Sequence, residues 1–163
     1  MRKPPLFATL GAFTVLIAAV PAWADFQAGL DAYKKGDYVA AAKEWQPLAE
    51  QGDPVAQYNL ALLYLDGHGV PESLAEAVNW FRRAAEQDYT LAQHNLGAMY
   101  ASGQGVKRDY IQAYKWLNIC AAKGNAGCAS QRDLVAKKLK ASRLAEAQRL
   151  ATDFKPQKES EKQ

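Results

Sequence analysis

One internal repeat constrains this chain more than any other feature. Sliding the sequence by 36 residues lays Ala56-Gln57-Tyr58-Asn59-Leu60 on Ala92-Gln93-His94-Asn95-Leu96. At the same offset Tyr64 meets Tyr100, Gly67-His68-Gly69-Val70 meets Gly103-Gln104-Gly105-Val106, and Ala77, Trp80 and Ala85 meet Ala113, Trp116 and Ala121. Self-similarity at a fixed period of this length is the signature of stacked supersecondary units, each too small to bury its own apolar face.

Each unit reads as two helices. Ala56, Leu60 and Tyr64 recur every four residues, the spacing of one helix face. Gly67 and Gly69 then interrupt the helix, because glycine adopts backbone conformations other residues resist. The spacing predicts helices over 54–66 and about 73–87, with Ala77, Trp80, Phe81, Ala84 and Ala85 inward. The same alternation predicts 90–102 and 109–123, the latter stopped by Gly124. Pro54 suits a first helical position, where its missing N–H has no partner to lose.

Upstream, Ala28-Gly29, Tyr33, Gly36-Asp37-Tyr38, Ala41 and Trp45 form a shorter unit, whose turn is four residues tighter than in the two full repeats. Downstream, 126–139 reads as one more first helix, and Ser142 as the N-cap of a last helix burying Leu144, Ala147, Ala151 and Phe154. The stretch 155–163 has no apolar residue and is expected to be disordered.

The two full units, Ala56 to Gln87 and Ala92 to Lys123, resemble the Sel1-like repeat, and the first unit resembles the related tetratricopeptide repeat. His94 in place of tyrosine, Ala61 in place of glycine and Asp88 in place of a stop glycine depart from the pattern. The last is expected to loosen its helix-pair junction. The resemblance implies an all-α fold, a right-handed α-solenoid of antiparallel helix pairs with about eight helices. The expected division is 25–53, 54–89, 90–125, capping helices over 126–154, and the tail.

The N-terminus carries a different signal. Arg2 and Lys3 precede an apolar run from Leu6 to Val20, and Ala22-Trp23-Ala24 places small residues where a signal peptidase reads. A leader cleaved between Ala24 and Asp25 is expected, hence a periplasmic or secreted bacterial protein. The run is too short, and too soon broken by Pro21, to serve well as a membrane span. Its removal takes Arg2 and Lys3 with it, leaving 18 basic against 17 acidic residues, interspersed. No clustered basic face of the kind nucleic acids require is visible.

Cys120 and Cys128 flank the Gly124-Asn125 turn, so antiparallel helices can bring their sulfurs together. A reactive thiol pair and a metal site are the alternatives, although redox pairs usually lie two residues apart and zinc needs more ligands. The same spacing in disulfide-bearing secreted Sel1 proteins implies a disulfide between Cys120 and Cys128.

No His-Glu-x-x-His, Gly-x-Ser-x-Gly or phosphate-binding loop occurs, so no catalytic residue, cofactor or metal is expected. His68 reads as an exposed loop residue. Some secreted relatives are linked to penicillin binding or hydrolysis. The resemblance therefore also implies a cell-wall or β-lactam-active enzyme as the alternative, yet no serine here has a lysine three residues on.

Repeats of this type imply scaffolds that bind partner segments along a concave wall of first helices. On that wall, Tyr58, Leu62 and Leu65 form a second stripe, continued by His94 and Ala98. Either the stripe packs on neighbouring first helices, or it forms a groove for an envelope protein or peptide. Self-association through an exposed end of the stack is a third possibility.

Overall fold

The computed structural model describes residues 22–158, and among them every regular element is helical. The expected leader lies outside the described residues, apart from Ala22–Ala24, which open the first helix. Eight helices follow: α1 (Ala22–Lys34), α2 (Tyr38–Glu50), α3 (Pro54–Asp66), α4 (Leu74–Glu86), α5 (Thr90–Ser102), α6 (Tyr110–Ala122), α7 (Ala126–Ala136) and α8 (Ala141–Thr152). Local chemistry sets most of their ends. Asp37, Asp53, Ser73, Asp109 and Asn125 cap α2, α3, α4, α6 and α7, each side chain accepting a backbone N–H of the first turn. Gly67 and Gly103 close α3 and α5 in the left-handed conformation. The final helix departs from expectation, since Lys140 rather than Ser142 holds its N-cap position and no side chain caps it.

The helices pair as α1·α2, α3·α4 and α5·α6, and successive pairs join through α2·α3, α4·α5 and α6·α7. Within a pair a small residue of the first helix faces a large one of the second. An added Cβ on Gly29 would lie 2.4 Å from the Trp45 ring nitrogen, and one on Gly97 would lie 2.7 Å from Leu117 Cγ. Ala61 and Phe81 share the equivalent, fully buried positions of the middle pair. Alanine thus replaces the usual glycine without opening the core.

Junctions between pairs carry a buried polar seam. Gln57 and Gln93, 36 residues apart, are both 0% exposed. Each donates from Nε2 to a carbonyl at the end of the preceding helix, Gln57 to Ala49 and Gln93 to Ala85. Each also accepts from the end of its own pair, Gln57 from Gln87 after α4 and Gln93 from Lys123 after α6. Buried amides need such partners, because an unpaired one costs about 1–3 kcal/mol. Asp88, expected to loosen its junction, does adopt the left-handed backbone with φ 72°. However, its carboxylate is held by Lys123 and by Gln93 Nε2, so the junction is tied rather than slack.

Cys120 and Cys128 are joined in a disulfide, Cα–Cα 5.9 Å, both fully buried between α6 and α7. Closing so short a loop removes roughly 2–3 kcal/mol of unfolded-state entropy. Cys120→Ser/Cys128→Ser is expected to lose about that much in denaturant titration, with the helical spectrum retained below the transition. A shift under about 1 kcal/mol would show that α7 is held by packing alone.

The C-terminal helix does not extend the stack on α7. It folds back onto α6, with Ala147 buried and Leu144 and Leu150 half-buried against the terminal core. The reason is an apolar face left over on α6. Phe154 meets the Trp116 ring edge-on at 5.3 Å, which leaves Trp116 only 3% exposed. Trp80, its counterpart in α4, has no such aromatic cover among the described residues and stays half-buried; the fully buried aromatic of α4 is Phe81. Beyond α8, the residues through Lys158 form no regular element, and the Gln157 N–H donates to the Glu86 carbonyl. The first residues of the expected disordered tail therefore lie against the body of the protein.

Candidate functional site

The residues expected to form the first-helix stripe are all half-buried, and Tyr58, Leu62 and Leu65 pack on the core. Tyr58 is half-buried, with its ring 5.7 Å from Phe81 and 5.2 Å from Tyr89. Leu62 and Leu65 are half-buried and pack on the central core. Ala98 and His94 are half-buried on α5. A hydrogen bond between the side chains of Tyr58 and Asn95 ties α3 to α5. Beside it, His94 Nε2 is closed off from solvent with no hydrogen-bond partner among the described residues. Buried polar atoms without partners are uncommon in folded proteins, and each one calls for a physical explanation.

Burial is the first cause that raises the Tyr58 hydroxyl above its ordinary pKa of 10.0, opposed by the Asn95 hydrogen bond and aided by Tyr33. Tyr89 is raised as well, again first by burial, then by Tyr58 and Asp53. In the unfolded chain both ionise near 10. Above that pH the folded state retains protons the unfolded state has released, so stability declines as pH rises through the raised values. Lys115 works in the opposite direction. Its pKa is lowered, mainly by burial, so the folded form loses that proton first and gains stability up to the ordinary lysine value. Tyr58→Phe separates the two effects. Thermal melts between about pH 8 and 11 are expected to decline less steeply in that variant. Equal slopes would remove Tyr58 as a source of alkaline sensitivity.

His68 is exposed, and its ring stacks on Tyr38 at 4.6 Å with an interplanar angle of 10°. It therefore locks the first loop onto the preceding unit. Both cysteines are consumed by their disulfide. Among the described residues, no three His, Cys, Asp or Glu side chains gather as a metal would require. None of the described helices is long and apolar enough to cross a membrane.

A second concave region lies on the other set of helices. Two adjoining hollows of about 540 and 500 Å³ run between α4, α6 and the C-terminal segment, and share Glu86 and Lys115. Nothing in the sequence marks a site there. Only Trp116 carries a signal, as a repeated aromatic, and repetition at a core position points to packing.

Helix pairs repeated in register, joined by matched polar seams and capped by a folded-back helix, define a helical-repeat scaffold. The family model of the Sel1 repeat matches residues 54–89 and 90–125. A protective antigen of uropathogenic Escherichia coli strains, whose crystal structure displays an SLR fold, is 32% identical with a TM-score of 0.77 over 82% of this chain. This chain spans only 29% of that antigen's length. The crystal structure of a Sel1 repeat protein from Oxalobacter formigenes is 30% identical, with a TM-score of 0.63 over 69% of this chain and 88% of the other. No curated protein matches the sequence. The chain belongs to the Sel1 repeat family.

Proposed function

We propose that this protein is an exported adaptor of the cell envelope that holds a segment of another envelope protein along its first helices and catalyses nothing. Tyr58, Leu62, Leu65, His94 and Ala98 form the contact. The observation that carries this reading is His94 Nε2, a shielded polar atom without a partner among the described residues, in the middle of the stripe. Because that atom is shielded from solvent, a bound segment reaches it only when the His94 ring turns outward, and its donor or acceptor then satisfies the nitrogen. Membership of a family whose repeats serve as protein-interaction scaffolds supports the general role. The buried Cys120–Cys128 disulfide supports export, since such bonds persist in oxidising compartments.

The test is affinity capture from envelope extract, with the protein beside His94→Phe/Ala98→Glu. That variant keeps a ring at position 94 and leaves Tyr58 and Leu62, which support the core, in place. A protein retained by the first and lost from the second is the expected result. Retention of the same protein by both would move the contact elsewhere. Capture of nothing by either would defeat the adaptor reading, and turnover of cell-wall fragments or a β-lactam would then be the assay to run.

A further inference from the structure

We propose that the hollow between α4 and α6 is a docking site for an acidic peptide segment, on the face of the second helices and independent of the first-helix stripe. Its walls carry Arg82, Lys107, Arg108 and Lys115 against two carboxylates, Glu86 and Asp109. Asp109 is already committed, because its Oδ1 accepts the N–H groups of Ile111 and Gln112 at the start of α6. Arg82 donates to the Tyr100 hydroxyl and to Asn79, so it is held in place without being neutralised. Lys107 and Arg108 are exposed on the rim, and among the described residues no ion pair with an acidic side chain joins any of the four cations. Local charge thus exceeds its internal compensation, and walls of one sign concentrate ligands of the other.

Lys115 gives the site its chemical character. Its ammonium lies 4.3 Å from the centre of the Trp116 ring and 5.5 Å from that of Phe154. Half-buried over two aromatic faces, it offers a charge-assisted donor for a carboxylate beside an apolar floor.

A peptide fits better than a lipid surface or a nucleic acid because this face already holds one. In the adjoining hollow the protein's own C-terminal segment packs without regular structure, with Phe154 against Trp116 and the Gln157 N–H on the Glu86 carbonyl. The open, basic half continues that track. Glutamate or aspartate alternating with an aromatic residue would match its walls and floor.

The probe is a short fluorescein-labelled peptide of alternating glutamate and phenylalanine, compared with its lysine-for-glutamate counterpart by fluorescence anisotropy. Binding of the acidic peptide alone is expected, weakening as salt screens the attraction. Lys107→Glu/Arg108→Glu changes only exposed rim residues and is expected to weaken binding on the order of tenfold. Amide NMR of the wild-type complex is expected to shift Gln112 and the Trp116 indole. Equal binding of both peptides, undiminished binding by the variant, or shifts centred on Tyr58 and His94 would each overturn the proposal. So would binding of phosphatidylglycerol vesicles with no binding of the acidic peptide.

Discussion

Replacing Gly105 with alanine is expected to cost about 3–5 kcal/mol, and Gly69→Ala a similar amount. Both glycines adopt left-handed backbones, φ 67° and 72°. A side chain in that region costs roughly 1–2 kcal/mol by itself. Steric contact costs more. A Cβ on Gly105 would lie 2.2 Å from the Leu74 carbonyl oxygen, and one on Gly69 would lie 2.3 Å from the Tyr38 carbonyl carbon. Leu74 and Tyr38 open α4 and α2, so the loop of one unit sits directly on the backbone that begins the preceding second helix. Backbone cannot rotate aside as a side chain can, and overpacking of this kind adds roughly 1–3 kcal/mol or more. Gly67 and Gly103 serve as controls within the same loops. Their nearest obstacles are the Cβ atoms of Glu72 at 3.1 Å and Arg108 at 3.2 Å. Alanine there is expected to cost only about 1–2 kcal/mol. Chemical denaturation of the four variants checks the contrast. Equal losses at both positions would mean that the second glycine serves conformation alone, and that the loops do not register one unit on the next.

Trp45→Ala is the second large effect expected, about 3–5 kcal/mol. Trp45 is 1% exposed, and its indole packs against the face of α1 left open by Gly29. Phe26 lies 6.0 Å and Tyr33 5.7 Å from it, ring centre to ring centre, and its Nε1–H donates to the Phe26 carbonyl. Three aromatic rings and one hydrogen bond therefore fasten α1 to α2. Truncation leaves a cavity lined by residues of α1, the terminal helix, which has a neighbour on one side only among the described residues. Faster proteolysis within α1, ahead of global unfolding, is expected to accompany the lost stability. Trp45→Phe keeps most of the apolar contact and is expected to cost far less. A Trp45→Ala loss below about 1 kcal/mol would show that α1 is docked by other contacts.

Much of this architecture is legible in the residues. The spans expected for α3 to α6 agree with the structure to within a residue or so at each end, because their signals are local: Asp and Ser caps, a proline at a helix start, and glycines where φ is positive. The cysteine pair is legible for the same reason, its partners being separated by one turn. The glutamine seam is written into the repeat as Gln57 and Gln93, yet its partners are not. A polar residue recurring among apolar ones is the clue to it, and only the stacked pairs show what each amide bonds.

The candidate surfaces are less legible. Helical spacing puts Tyr58, Leu62, Leu65, His94 and Ala98 on one stripe, but it does not say how deeply each sits. That depth depends on the tilt of each pair against the next. Trp80 and Trp116 show the same limit, since identical repeat positions end up half-buried and buried. The difference is Phe154, 38 positions along the chain from Trp116.

The period, the helix pairs, their caps and the close-packed loops are thus all written in the order of the residues, because those interactions join neighbours along the chain or repeat with it. Other features belong to the folded stack: α8 turns back onto α6, the C-terminal segment crosses to Glu86, and a basic hollow opens between α4 and α6. They arise where the repeat ends. An apolar face with no further unit to cover it must be buried by whatever chain remains, and that choice follows from packing the whole stack rather than from any local pattern.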